Sequence, residues 1–133
     1  MSISNSRFIL HIDDDEDDQL MLHDAIAEIH PCLKIRKARN GPEGLQLLLQ
    51  FSLLSELPFL ILLDLNMPGM DGKQVLKEIK KNTVFATIPL VLFTTSSSPL
   101  DKMFAEKENV RLVTKPSNQA EFTECVRDLI ESL

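Results

Sequence analysis

Short apolar runs alternate along the chain with longer stretches in which apolar residues recur every three or four positions, and the alternation occurs five times. A short, wholly apolar run marks a strand covered on both faces. The three-to-four spacing marks a helix with one buried side. Residues 8–12, 59–63 and 90–93 are the clearest predicted strands; 34–39, of mixed polarity, suits a sheet edge, and 110–114 completes the set. The first helix is predicted over 17–29, on Leu22, Ala25, Ile26 and Ile29. The second follows the Asn40-Gly41 turn and carries Leu45, Leu48, Leu49 and Ser52. The third follows a loop at 69–72 and carries Val75, Leu76 and Ile79. Ser98-Pro99 gives the fourth helix a capping hydroxyl and a proline at its first position, with Leu100, Met103 and Phe104 as its apolar face. Asn118 and Glu121 form a capping box for the last helix, whose buried side runs through Phe122, Cys125, Val126, Leu129, Ile130 and Leu133.

Strict alternation of strand and helix implies an α/β fold, a doubly wound parallel sheet with helices on both faces and right-handed crossovers. Ligands of such sheets bind beyond the carboxyl ends of the strands. The residues just after each strand are therefore the ones to inspect. They are Asp13-Asp14-Asp15-Glu16-Asp17-Asp18 after the first, Asp64 after the third, Thr94-Thr95-Ser96 at the fourth and Lys115-Pro116 at the fifth.

Bulk properties narrow the picture without choosing a chemistry. A chain of 133 residues, 44% hydrophobic, fits one domain with a real core. A formal net charge of −6 speaks against electrostatic binding to nucleic acid or anionic lipid. No run is long and apolar enough for a membrane span, Met1–Ser6 does not read as a leader, and the expected location is the cytoplasm. Cys32 and Cys125 have no metal-ligand spacing and read as free thiols. His11, His23 and His30 have no ligand partner at short spacing and read as structural or surface residues.

The acidic block needs a cause. Asp15, Asp17 and Asp18 fall near the start of the first helix, where negative charge complements the dipole, and Asp17 and Asp18 read as structural or surface residues. That role does not cover Asp13 and Asp14, at a strand end beside Asp64. Three carboxylates crowded there repel one another unless a cation intervenes, and Mg²⁺ favours such hard oxygen ligands. Asp64 has the chemistry of a nucleophile toward a phosphoryl group. Thr94 could donate to a phosphoryl oxygen and Lys115 could pair with one as a point charge. Pro116 restricts Lys115 to an extended backbone, with a cis Lys115–Pro116 bond open. Asp71 reads as a helix cap.

The stretches Ile-Leu-His-Ile-Asp-Asp-Asp-Glu-Asp-Asp, Leu-Leu-Asp-Leu-Asn-Met-Pro-Gly-Met-Asp-Gly, Ile-Pro-Leu-Val-Leu-Phe-Thr-Thr and Val-Thr-Lys-Pro together resemble a response-regulator receiver domain of two-component systems, over nearly the whole chain. The resemblance implies a (βα)₅, CheY-like fold with strand order 2-1-3-4-5 and a single receiver domain at 1–133, with a core at about 7–131. It implies that Asp64 takes a phosphoryl group from a sensor histidine kinase or a histidine phosphotransfer protein. Mg²⁺ would be held by Asp13, Asp14, Asp64 and the backbone carbonyl of Asn66, though a shift of the acid pair to Asp14-Asp15 stays open. Thr94 would be the switch hydroxyl and Lys115 the phosphate-pairing lysine. Asn66, Thr95 and Ser96 would tune the phosphate's lifetime.

The chain ends with the fifth helix, so an output by protein contact is expected, to a downstream protein or a second copy through the helix 4–strand 5–helix 5 face. One position departs from the pattern. Leu112 stands where receivers often carry Tyr or Phe, and the chain has no Tyr. Two other readings compete. An aspartate-nucleophile phosphatase would place a second acid where Asn66 stands and its nucleophile after the first strand. A phosphorylation-independent binding module would not need the full set of Asp13, Asp14, Asp64, Thr94 and Lys115.

Overall fold

The computed structural model describes residues 7–133; the Met1–Ser6 stretch, read above as carrying no leader, lies outside them. Strands and helices alternate as β1 (Phe8–Ile12), α1 (Glu16–Ile29), β2 (Lys34–Ala38), α2 (Gly41–Leu53), β3 (Leu60–Leu63), α3 (Gly72–Lys81), β4 (Leu90–Thr94), α4 (Pro99–Lys107), β5 (Arg111–Thr114) and α5 (Gln119–Glu131). A single 3₁₀ turn, Phe85–Thr87, precedes β4. All neighbouring strands are parallel and the sheet order is β2-β1-β3-β4-β5, as the sequence resemblance implied. The mixed-polarity strand β2 takes one edge.

Period-two alternation splits the central strands between two cores. Leu10 and Ile12 of β1, Ile61 and Leu63 of β3 and Leu92 of β4 join α2 and α3 on one face. Ile9, Leu60, Leu62, Val91 and Phe93 join α1 and α5 on the other. Both faces are covered, which is why β3 is apolar along its whole length and β1 is apolar but for His11.

The helix starts follow the sequence closely. Asp15 accepts from the backbone N–H of Asp17 and Asp18, Ser98 caps α4 ahead of Pro99, and Asp71 with Gln74 forms a reciprocal capping box. At α5 the cap is one-sided: Asn118 accepts from the Glu121 N–H, and the α5 start lacks the reciprocal bond.

Three helix faces differ from the expectation. Leu100 and Met103 are 71% and 63% exposed, and α4 buries Ala105 instead. Leu49 is exposed and Phe51 fills the core in its place, while Leu133 lies beyond the end of α5 and is exposed. No peptide bond among the described residues is cis, so Lys115–Pro116 is trans. Among the described residues no helix is long and apolar enough to cross a membrane.

Candidate phosphoryl and metal site

Three of the converging residues are each the first beyond their strand, and one further ladder bond holds each backbone. The Asp13 N–H donates to the Ala38 carbonyl at 3.0 Å, the Asp64 N–H to Ile12 at 3.0 Å and the Lys115 N–H to Thr94 at 2.8 Å. Thr94 closes β4 opposite Thr114. The side chains thus issue from the carboxyl ends of β1, β3, β4 and the edge strand β5.

Asp13, Asp14 and Asp64 each offer a carboxylate oxygen within 4.8 Å of the others'. Asp13 and Asp64 are buried and Asp14 is exposed, so the trio opens to solvent on one side. Like charges this close, with hard oxygen donors and solvent access on one flank, fit a divalent cation such as Mg²⁺. The Asp13-Asp14 register, rather than Asp14-Asp15, builds this trio, since Asp15 is committed to capping α1.

Lys115 reaches into the same space with its side chain 2% exposed. Its ammonium lies 2.5 Å from Asp13 Oδ2, 2.8 Å from Asp18 Oδ2 and 3.9 Å from Asp64 Oδ2. Burial alone would push the lysine pKa down, but the surrounding carboxylates outweigh it and hold the ammonium above its ordinary value. Burial pushes Asp13 up; His11 and Lys115 together overcome it, leaving Asp13 below the usual carboxylate range. Asp64 goes the other way. Burial raises it, the charge of Asp13 adds to the rise, and Lys115, at a longer distance, offsets only part.

Thr94 is fully buried and its hydroxyl oxygen accepts from Asn66 Nδ2 at 3.3 Å and from the Ser96 N–H at 3.2 Å. The Ser96 hydroxyl in turn donates to Asp101 on α4, and Asp101 pairs with Lys73 on α3 at 3.0 Å. That hydroxyl and Lys73 hold Asp101 below the ordinary carboxylate range against a small rise from burial. Asn66 is exposed, two residues past Asp64, and its N–H lies 3.3 Å from Asp64 Oδ1. Thr95 points to solvent, and Leu112 packs half-buried against the α2/α3 core. Gly72 lets the loop after β3 fold back: a Cβ there would strike the Asp64 carbonyl and stand 2.6 Å from Leu65 Cα.

Sequence reasoning placed Asp13, Asp14, Asp64, Thr94, Lys115 and Asn66 at this rim, and all six lie there. It missed three others. Asp18, read as a surface cap, is an ion-pair partner of Lys115. Gln19 is buried and donates to the Asp13 carbonyl at 2.7 Å. His11 is buried beside Asp13. Asp18 and Gln19 lie in the first turn of α1, where a side chain pointing inward and one serving the dipole look alike in sequence. Asp17 is exposed, as expected.

Comparison with known proteins agrees with this geometry. The chain is 31% identical over 87 residues to Protein PilH of Pseudomonas aeruginosa, an overlap of 65% of this chain and 68% of that one. It is 40% identical over 73 residues to Response regulator Rcp1 of Synechocystis, covering 54% of this chain and 50% of Rcp1. It spans only 15% of the Helicobacter pylori sensor histidine kinase CheAY, which it matches at 32% identity over 92% of its own length. Among solved structures, the phosphorylated cyanobacterial phytochrome response regulator RcpA superposes with a TM-score of 0.85 at 30% identity, over 94% of this chain and 91% of that one. The Mn²⁺-bound form of Rcp1 superposes with a TM-score of 0.79 at 29% identity, over 92% and 91% of the two chains. The family model of the response regulator receiver domain matches residues 9–127. That match runs from the first strand into the last helix and takes in every residue of the acidic rim, so the chain belongs to the response-regulator receiver family of two-component signalling.

Proposed function

We infer that this receiver accepts a phosphoryl group on Asp64 from a phosphohistidine of a sensor kinase or phosphotransfer protein. One observation carries the reading: a buried lysine ammonium and two further carboxylates converge on Asp64 beyond the ends of β1, β3 and β5. An Asp64 carboxylate oxygen attacks phosphorus, forming a P–O bond as the P–N bond to the donor imidazole breaks. The electron pair leaves with the imidazole, which takes up a proton.

The step brings two anions together. Asp13, Asp14, Asp64 and the Asn66 carbonyl would hold Mg²⁺, which supplies neutralising charge when bound. Lys115, 3.9 Å from Asp64, pairs with a phosphoryl oxygen as a point charge. Thr94 turns its hydroxyl from Asn66 and Ser96 to the phosphoryl group, and Asn66, Thr95 and Ser96 border the route of an attacking water, setting how long the acyl phosphate lasts.

With Leu112 in place of an aromatic ring, the readout passes from Thr94 through Ser96 and Asp101 to α4. Output leaves by the α4–β5–α5 face to a partner protein or a second copy. In the Mn²⁺-bound Rcp1 a divalent ion accompanies the same fold, and RcpA is a phosphorylated regulator; both support the reading.

Incubation with acetyl phosphate and Mg²⁺ followed by borohydride reduction tests it. Hydride displaces phosphate from an acyl phosphate and leaves homoserine in its place. Peptide mass mapping should find that change at position 64. Modification at another carboxylate would sink the assignment.

A further inference from the structure

His11 lies beside this site and has no part in the chemistry above. Its ring is 1% exposed, and neither ring nitrogen has a hydrogen-bond partner. A buried, unpaired imidazole within a strand is costly, and a β-branched apolar residue would fill the place without that cost. Nε2 stands 3.4 Å from Asp13 Oδ2 without making a hydrogen bond to it. The same oxygen receives the Lys115 ammonium at 2.5 Å. Asp13's other oxygen is taken by the Asp15 N–H at 2.9 Å. Two donors therefore face one carboxylate oxygen, and in this state the ammonium holds it.

We propose that His11 is a positioning residue that takes over Asp13 Oδ2 when Lys115 turns to the phosphoryl group on Asp64. The proposal rests on the reading of Asp64 as acceptor. Lys115 already stands 3.9 Å from Asp64 Oδ2, and phosphoryl oxygens added there come closer still. As the ammonium leaves, Asp13 becomes a buried carboxylate short of a donor, free to turn away from a bound cation. His11 sits on β1, between β2 and β3, with Nε2 3.4 Å from Asp13 Oδ2, so a small turn of the ring brings its N–H onto that oxygen. Asp13 thus keeps its aim through the transfer, with one donor replaced by another.

Two measurements on the full chain test this. The first follows the His11 Nε2–H proton by NMR. It should move downfield when Asp64 is loaded with beryllofluoride and Mg²⁺, and equally in unloaded Lys115→Ala, where the competing donor is gone. The second titrates Mg²⁺ on His11→Val and His11→Gln, read from the Asp14 amide. His11→Val should bind Mg²⁺ as wild type does when unloaded and roughly tenfold more weakly when loaded, the scale of losing a donor behind a metal ligand. His11→Gln, with an amide N–H near the place of Nε2, should recover most of that loss. An Nε2–H resonance that stays put in both settings, or a His11→Val effect equal in loaded and unloaded protein, overturns the proposal. If wild type takes up no beryllofluoride while Lys115→Ala still shifts the Nε2–H proton, the reading of Asp64 fails and the transfer role falls with it; the donor competition at Asp13 survives.

Discussion

Asp13 and Lys115 stabilise each other against burial. With the carboxylate fully buried and the ammonium 2% exposed, removing Asp13 takes the nearest counter-charge from a buried ammonium and leaves it Asp18 and the more distant Asp64. Asp13→Ala should cost about 3 kcal/mol in urea unfolding. Asp17→Ala, at an exposed neighbour in the same acidic block, should stay within about 0.5 kcal/mol. Asp64 has the opposite balance, because burial and Asp13 raise its pKa. A raised acid stabilises the fold where it is protonated, and that contribution is lost as pH rises through the folded pKa. Metal-free Asp64→Asn should therefore be more stable than wild type at pH 7, by on the order of 1 kcal/mol or roughly 3–5 °C in Tm for a domain of this size. The gain should shrink as pH falls through the raised pKa of Asp64, because the wild-type carboxyl then becomes neutral too; a gain that stays constant as pH falls would contradict the assigned charge state. The identities of Asp13, Asp64 and Lys115 were legible in the sequence because each follows a predicted strand. Asp18, Gln19 and His11 were not, because inward aim from a helix turn or a strand depends on packing that periodicity does not fix.

The elements show where apolar pattern and burial part company. The apolar runs of β1, β3 and β4 read directly as a central sheet, since burial on both faces leaves only His11 and Thr94 as polar positions in them. The sequence pattern gave α4 a plain apolar face at Leu100, Met103 and Phe104, yet the first two face solvent. The helix has nine residues and turns Ala105 inward. Its start is fixed by the Ser96–Asp101–Lys73 chain, which ties it to α3 whatever the stripe prefers. Leu100→Ser and Met103→Ser should each leave Tm unchanged within about 0.5 kcal/mol of stability. Leu48→Ala on α2, at a fully buried position, should cost about 3 kcal/mol. A large loss at Leu100 would mean that the face is covered in the free protein.

At the scale of the whole molecule, an acidic protein of formal charge −6 gathers three carboxylates at the mouth of its sheet. A cation that binds the folded chain and not the unfolded one stabilises it by mass action. Mg²⁺ well above its Kd should raise Tm by about a few degrees, and Asp14→Asn should blunt the rise while leaving the buried Asp13–Lys115 pair in place. Strand order followed from the family resemblance and the acidic rim from strand ends and motif spacing; the network linking Thr94 to α4 was not legible, because it runs through loop side chains whose partners are far apart in sequence. The central claim is that Asp64 takes the phosphoryl group in a cation-dependent step. Intact mass after incubation with acetyl phosphate, with and without Mg²⁺, for wild type and Asp64→Asn, tests it most directly. The account predicts a gain of one phosphoryl group in wild type with Mg²⁺ and none in the other three samples. An equal gain without Mg²⁺, or in Asp64→Asn, would contradict it.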